Sequence, residues 1–452
     1  MRKRKILTGF VLVMVLFFMV TPVWGGAKNE LKGTDITIGV WWEGLDVFAD
    51  KPRDEAEERT YEYRKKIQRD NSFSIKEVHV DSWTNMQQKV ILSIMSGSPA
   101  ASVFVLEASW AKILQSRGLL FPVSDSNAVD FAPHKGDNSK VHWSQTVKEA
   151  FTHDGKAYAF GIGQGRETYP LLVWYNKRLF REAGLDPDLP YNMQRDGTWT
   201  WENFIDVCKK LTRDVNNDGI IDIYAMCEDS DQEMHNAIIS SNGANYVEVD
   251  SKTGKFVNGI TSPAFLEALN YARRLRDEGV LKPKPEPRNW DWYRFEFTEG
   301  RVAMNVEPEW IKWELGTMKD DFGVVFFPKG PRVSDYVSYT DELVFAIPNN
   351  FNLAQVNQIL RGVELWYTPH DTNPNGWKDG MYRIYRDSRA IDETLTMIRN
   401  PKIEMYKYHL WVPGLNIGEI VWQNQVTDLS TSQLIESVTP SWNAIISDAN
   451  DM

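Results

Sequence analysis

Residues Thr198 to Met226 read TWTWENFIDVCKKLTRDVNNDGIIDIYAM. Trp201, Phe204, Ile205, Cys208 and Leu211 recur at helical spacing, so one stripe of this segment faces a core. Thr200 stands where a hydroxyl caps a first turn. The stripe runs into Asp214-Val-Asn216-Asn-Asp218-Gly219-Ile-Ile-Asp222, with oxygen side chains at relative positions 1, 3, 5 and 9 and Gly at 6. That is the spacing by which an EF-hand-type loop wraps calcium. The twelfth position is Ala225 instead of the bidentate Glu, so a structural calcium ion on Asp214, Asn216, Asp218 and Asp222 would need another carboxylate. The other reading is an Asx/Gly turn between the helix and a strand over Ile220 to Met226, its side chains bonding their own backbone.

Outward from this segment, strands and helices alternate. On the N-terminal side lie a strand Leu171 to Tyr175 and a helix Lys177 to Ala183 closed by Gly184; on the other, a helix capped by Ser262 with Pro263 in its first turn, ending at Gly279. Earlier, Ile36 to Trp42 reads as a strand, Asp54 to Arg69 as a helix and Ser74 to Val80 as a strand. A helix Trp83 to Met95, with Trp83, Met86, Val90 and Ile94 on one face, and a strand Ser102 to Leu106 follow. Alternation predicts parallel sheets with crossovers, whose ligands sit at the carboxyl ends of strands. Those ends carry Trp41-Trp42-Glu43, Asp81, and Glu107 to Trp110. Three prolines between Lys282 and Arg288 mark an extended connector, and Phe297 to Trp310 reads as a turn, a strand and a new helix.

The first residues set the compartment. Arg2, Lys3, Arg4 and Lys5 precede an apolar run, Ile6 to Val20, and then Gly25 and Gly26. This is the pattern of a secretory signal peptide over residues 1–25. No cysteine stands near the cleavage site, which favours a free periplasmic protein over a lipid-anchored one. Removing four bases and no acid takes the formal charge from −11 to −15, which argues against nucleic acid and anionic lipid as partners. The remaining chain exceeds what one core usually supports, so two domains are expected. Cys208 and Cys227 are the two cysteines; Cys208 lies on the apolar stripe and reads as core, and a bridge between them stays open. Tryptophan is abundant, 18 of 452 residues, and an exported, acidic, ring-rich chain suggests sugar binding: pyranose faces stack on rings while carboxylates take the hydroxyls.

Three landmarks now stand in order: LLVWYNKRLFREAGLD from Leu171, the segment from Thr198, and FTEGRVAMNVEPEW from Phe297. Together they resemble the extracellular solute-binding proteins of family 1, the sugar-type subunits of ABC importers. The resemblance implies an α/β, two-lobed periplasmic-binding-protein fold, type II-like, each lobe a mostly parallel sheet flanked by helices, with the ligand cleft between lobes. It places residues 30–162 and 297–342 in one lobe, and 163–296 and 343–452 in the other. It also implies an ABC permease in the inner membrane as partner, a monomeric protein, and no required cofactor. Members commonly carry Pro-Asp-Val before the third strand. Here Ser98-Pro99-Ala100-Ala101-Ser102-Val103 lacks the Asp, and Glu107 is the substitute. In this family the Asp-rich loop is a lobe feature away from the sugar.

Trp310 matches the family's Gly-x-x-Ala-Met…Trp pattern, which implies a ring at the floor of the sugar site; the plain alternative is packing within its own lobe. Glu307 and Glu309 stand beside it, as hydroxyl acceptors or as complements to the helix dipole. At the first-lobe strand ends, one of Trp41 and Trp42 should face the ligand with Glu43, and Glu107 and Trp110 follow the same logic, although Trp110 also begins a stripe with Ile113 and Leu114. Tyr339 and Asp341 lie where the chain should cross between lobes, and Trp290, Trp292 and Trp411 lie in aromatic loops. Arg166, after Gly161-Ile-Gly163-Gln-Gly165, is a hinge residue or a ligand clamp; the glycine spacing lacks the context of a dinucleotide site. Motifs for hydrolase, zinc-protease or P-loop chemistry are absent from the sequence, and a secreted glycoside hydrolase using a Glu pair, or a binder of a non-sugar solute, is the alternative function.

Overall fold

The computed structural model describes residues 30–132, 140–141, 143–162, 169–228, 232–285, 291–315, 318–340, 343–370, 376–398 and 404–451. The expected signal peptide, Arg166, Trp290 and Asp341 lie outside the described residues. Within them, no helix is long and apolar enough to cross a membrane.

The first sheet is built from the expected alternation. β1 spans Asp35–Val40 and leads to α1, Glu55–Asn71, whose first turn is capped by the Asp54 carboxylate accepting from the Glu57 N–H. β2, Ser74–His79, pairs in parallel with β1, register Asp35 opposite Ser74. α2, Trp83–Met95, crosses over to β3, Val103–Leu106, which pairs in parallel with the other edge of β1. α3, Ala108–Ser116, follows at once. Met86, Val90 and Ile94 form the buried stripe of α2; sealing each from water is worth roughly 1.5–3 kcal/mol. Trp83, expected on that face, is instead 56% exposed. A long side chain on a helix leans toward the N-terminus, and at the first residue this carries the ring beyond the core and against Trp110.

The second sheet centres on Leu171–Asn176, every residue of which is buried. Met304–Pro308 and Phe322–Phe326 flank it, both antiparallel to it, so this sheet departs from the parallel pairing expected. Outside the first sheet, parallel pairing appears in the short pairs Met226–Cys227 with Leu281–Lys282 and Ser338–Thr340 with Glu404–Tyr406. These pairings also redirect the segment 297–342. Residues 304–326, expected back in the first lobe, register Val306 against Val173 and Val325 against Val173 from the two sides. The chain returns later: Val344–Ala346 adds antiparallel to β3, and the helix Leu353–Tyr367 buries Ile359, Leu360, Val363 and Trp366 in the core that holds Ile36 and Val103. The reason is burial. Every residue of the three strands of the second sheet is buried, Asn305 and Glu307 included, and Trp174 of the central strand packs on Phe322 of its neighbour and stacks on Tyr385, so the segment goes where its strands are enclosed. Of the later residues, Ile391, Ile420, Leu434 and Trp442 lie in the second core.

In the deciding segment, Trp201–Leu211 is helical and buries the whole predicted stripe. Thr200 makes no side-chain cap bond; the Trp201 N–H, one of the donors left open at the helix start, donates to the Lys329 carbonyl at 3.0 Å. The strand expected over Ile220 to Met226 contracts to Met226–Cys227, paired with Leu281–Lys282, and Ile220 is exposed. Cys208 and Cys227 are both buried free thiols, so they are not bridged.

Candidate functional site

At the carboxyl end of the first sheet four indole rings meet. Trp41 and Trp42 follow β1, Trp83 opens α2 and Trp110 lies in the first turn of α3. Trp41 sits edge-on to Trp42 (5.0 Å between centroids, 79°) and to Trp110 (5.6 Å, 72°), and Trp110 meets Trp83 at 5.7 Å. Each ring keeps a solvent-facing part: Trp41, Trp42 and Trp110 are half-buried and Trp83 is exposed. Edge-to-face packing holds the rings in fixed orientations, so ordering them is not left to the ligand.

Carboxylates frame the rings. Trp83 Nε1 donates to Glu107 at 3.2 Å, and Trp42 Nε1 donates to Glu77 at 3.2 Å. Glu43, next to Trp42, is exposed. Asp81 accepts from the Ser82 N–H and from Asn85, and these bonds hold it below the usual carboxylate range. The loop bearing Trp41 and Trp42 is tied to β2: the Leu45 N–H donates to the Glu77 carbonyl at 3.1 Å, and the Glu77 N–H donates back to Leu45 at 2.9 Å. Gly44 permits this approach, because a Cβ there would lie 2.5 Å from the Glu77 carbonyl oxygen. Of the sequence candidates, Trp41, Trp42, Glu43, Glu107 and Trp110 are thus brought together. Trp83 and Glu77 were missed. The signal available for Trp83 was its place just after the carboxyl end of a strand, the argument already applied to Trp41.

The second-sheet candidates are arranged otherwise. Glu307 is 1% exposed and takes the Arg294 Nε–H at 2.8 Å; burial pushes its carboxyl up to about 7 against the pull of that guanidinium. The same guanidinium lies over the Trp310 ring, 4.9 Å from its centroid. Glu309 is held by Lys312 Nζ, 2.6 Å from both oxygens, and by the Tyr385 hydroxyl. Glu233 pairs with Lys407 at 3.3 Å. Neither Glu307 nor Glu309 is open to a ligand hydroxyl, and Trp310, half-buried, keeps one face under Arg294. Tyr339 is a core residue with no exposed surface, its hydroxyl donating to Asn245 Oδ1 at 2.9 Å, and Trp292 is buried as well. Trp411 is buried among Phe151, Tyr406 and Tyr408. The short helix Glu309–Trp313 does reach the first region: Arg53, just before α1, lies over the Trp313 ring at 4.6 Å.

In the loop 214–222 the oxygens are turned inward. Asp214 accepts from the N–H groups of Asn217 and Gly219, at 2.7 Å each; Asp218 accepts from Ile220 and Asp222 from Val215. Asn217 and Gly219 adopt φ of 60° and 88°. These are the bonds of the Asx/Gly turn, and they satisfy the turn's own donors. Among the described residues, no group of three His, Cys, Asp or Glu stands where it would hold a metal ion.

Two α/β units, with rings and carboxylates at the strand ends of one, define a binding protein of the two-lobed α/β class. The chain belongs to the bacterial extracellular solute-binding protein family, whose model matches residues 75–350. No curated protein matches it by sequence. Among solved structures it is similar to UgpB from Mycobacterium tuberculosis, solved with glycerophosphocholine (17% identity, 92% of this chain and 99% of that one, TM-score 0.64). It is also similar to the cyclic alpha-maltosyl-1,6-maltose binding protein from Arthrobacter globiformis (14%, 92% and 99%, 0.62). A third is the GacH receptor of Streptomyces glaucescens, solved unliganded and with acarbose (16%, 92% and 99%, 0.59). At these identities the similarity shows the fold: two lobes of α/β structure. Membership of an extracellular family makes the protein an exported one that binds a solute.

Proposed function

We propose that the protein captures a carbohydrate, an oligosaccharide rather than a single ring, and delivers it to an ABC import permease, without doing chemistry on it. The observation that carries this is the four-indole cluster after the carboxyl ends of β1, β2 and β3, with Glu77 and Glu107 accepting indole N–H groups and Glu43 and Asp81 in the same strand-end loops. Fixed indole faces take the CH faces of pyranoses, and carboxylates beside them accept hydroxyl protons. Trp310 is the second lobe's proposed contact. Closure is the remaining step: the ligand favours the closed state by its differential affinity for it. The carbohydrates named for GacH and for the Arthrobacter protein support this class of ligand. Residues 1–25 act as the signal peptide that sends the chain to the periplasm, where it works as a monomer. No cofactor is needed, and the loop 214–222 serves as a turn.

The test is a titration of the purified protein with mono- and oligosaccharides, and with glycerophosphocholine as a non-sugar solute, read by Trp fluorescence and melting temperature. Oligosaccharides should shift both and be recovered intact. A response to the non-sugar alone would overturn the carbohydrate reading, and cleaved sugar would restore the hydrolase alternative.

A further inference from the structure

Both polar ends of Trp42 are held by one strand. β2 stands at the end of its sheet, with β1 on its inner side, and the loop after β1 folds back along its outer edge. There the Leu45 N–H and carbonyl exchange bonds with the Glu77 carbonyl and N–H, a rung of the kind a neighbouring strand supplies. Asp46 adds an ion pair with Lys76 at 3.6 Å. Glu77 and His79, two positions apart and therefore on one face of β2, reach back to Trp42. Glu77 Oε2 accepts the indole N–H at 3.2 Å, and His79 Nδ1 donates to the Trp42 carbonyl at 3.1 Å. The Trp42 ring packs edge-on against Trp41 at 5.0 Å, and Trp41 edge-on against Trp110 at 5.6 Å. The orientation set at Trp42 is thus passed along the row of rings.

An unheld indole turns about two side-chain torsions, and a ligand that stacks on it must first order it. Here the ring N–H is fixed to a carboxylate on a strand, and the backbone that carries the ring is fixed to an imidazole on the same strand. We infer that Glu77 and His79 are positioning residues for ligand capture: acting through Trp42, they set its ring plane before the ligand arrives. This role rests on the carbohydrate reading above and deepens it, by naming the residues behind the stacking surface. The rung between Leu45 and Glu77 is made by backbone atoms, so replacing the Glu77 or His79 side chain removes the hold on the ring and leaves the loop tied to β2.

The experiment is calorimetric titration with maltotetraose, cellotetraose and chitotetraose, joined to near-ultraviolet circular dichroism, which reports fixed ring packing. For the probe the wild type binds tightest, Glu77→Leu should weaken binding about tenfold and His79→Phe about threefold. Glu77→Gln, whose amide oxygen accepts the same indole N–H, should restore it to within about twofold. In a Trp42→Phe background, where no ring N–H is left to hold, adding Glu77→Leu should change affinity by less than about twofold. The dichroism of the rings should fall in Glu77→Leu and return in Glu77→Gln. Wild-type affinity in Glu77→Leu, equal losses in the Leu and Gln variants, or an undiminished loss in the Trp42→Phe background would overturn the role of Glu77 and leave the carbohydrate reading standing. Wild-type affinity in His79→Phe would overturn the part given to His79. If the wild type binds none of the probes, the carbohydrate reading loses its support, and the dichroism still decides the positioning: a spectrum unchanged in Glu77→Leu overturns it.

Discussion

The two aromatic regions of this protein have similar ingredients and opposite states. At the first sheet, Trp41, Trp42 and Trp110 are half-buried and Trp83 is exposed, and Glu77 and Glu107 accept indole N–H groups. At the second, Trp310 lies under Arg294, and Glu307 and Glu309 are closed off by ion pairs. The difference teaches that residue type at a family position does not decide availability. A carboxylate already held by a buried cation is part of the scaffold, because freeing it would strand two charges in low dielectric. The first region is built to receive, and the second is built to hold its own shape and to present Trp310 at one edge.

The largest effect should come from breaking the second region. Arg294→Ala leaves Glu307 buried without its cation, and about 3–5 kcal/mol of stability should be lost in denaturant titration near neutral pH. Should the variant unfold like the wild type, the ion pair is not structural and the comparison fails at its root. The loss should shrink as pH falls toward about 7 and level off below it, because the carboxyl, raised further once the guanidinium is gone, takes a proton first in the variant.

A smaller effect separates the lobes from their buried histidine. His409, fully enclosed beside Lys407, has its pKa lowered to about 3, first by burial and then by that charge. With the folded value depressed below 6.5, its contribution to stability is present above pH 6.5 and is lost as pH falls toward 3. At about pH 5 the loss is roughly 2 kcal/mol. Glu307 works in the opposite direction between about 7 and 4.5, so the term is read as the difference between wild type and His409→Asn across that range. A difference that does not change with pH would contradict the buried neutral ring.

The smallest expected effect lies in the loop 214–222. Its side chains already satisfy its own N–H groups, so EDTA should leave the melting temperature unchanged and added calcium should not raise it. A calcium-dependent rise would restore the EF-hand reading.

Much of the fold was legible because periodicity reports burial directly. The stripe Trp201, Phe204, Ile205, Cys208 and Leu211, the limits of α2 and the strand from Leu171 follow from it. The destination of residues 304–326 was not legible, since the apolar pattern of a strand names no partner and no sheet. In the site, strand-end logic found Trp41, Trp42, Glu107 and Trp110. It lost Trp83 to helical periodicity, which treats the first residue of a helix like any other. The engagement of Glu309 by Lys312 and Tyr385 depends on a residue more than seventy positions away, a distance over which spacing carries no information. Tyr339 and Trp411 likewise went to cores that only tertiary packing defines.

The measurement that bears most directly on the central claim compares Trp110→Ala with Trp310→Ala in the affinity for the tightest-binding oligosaccharide, by calorimetry, both variants first shown to melt near the wild type. Removing Trp110 should weaken binding about 30-fold, roughly 2 kcal/mol, and removing Trp310 by distinctly less. Binding by Trp110→Ala within about twofold of the wild type, or a greater loss in Trp310→Ala, would contradict the assignment of the primary site to the first-sheet indoles.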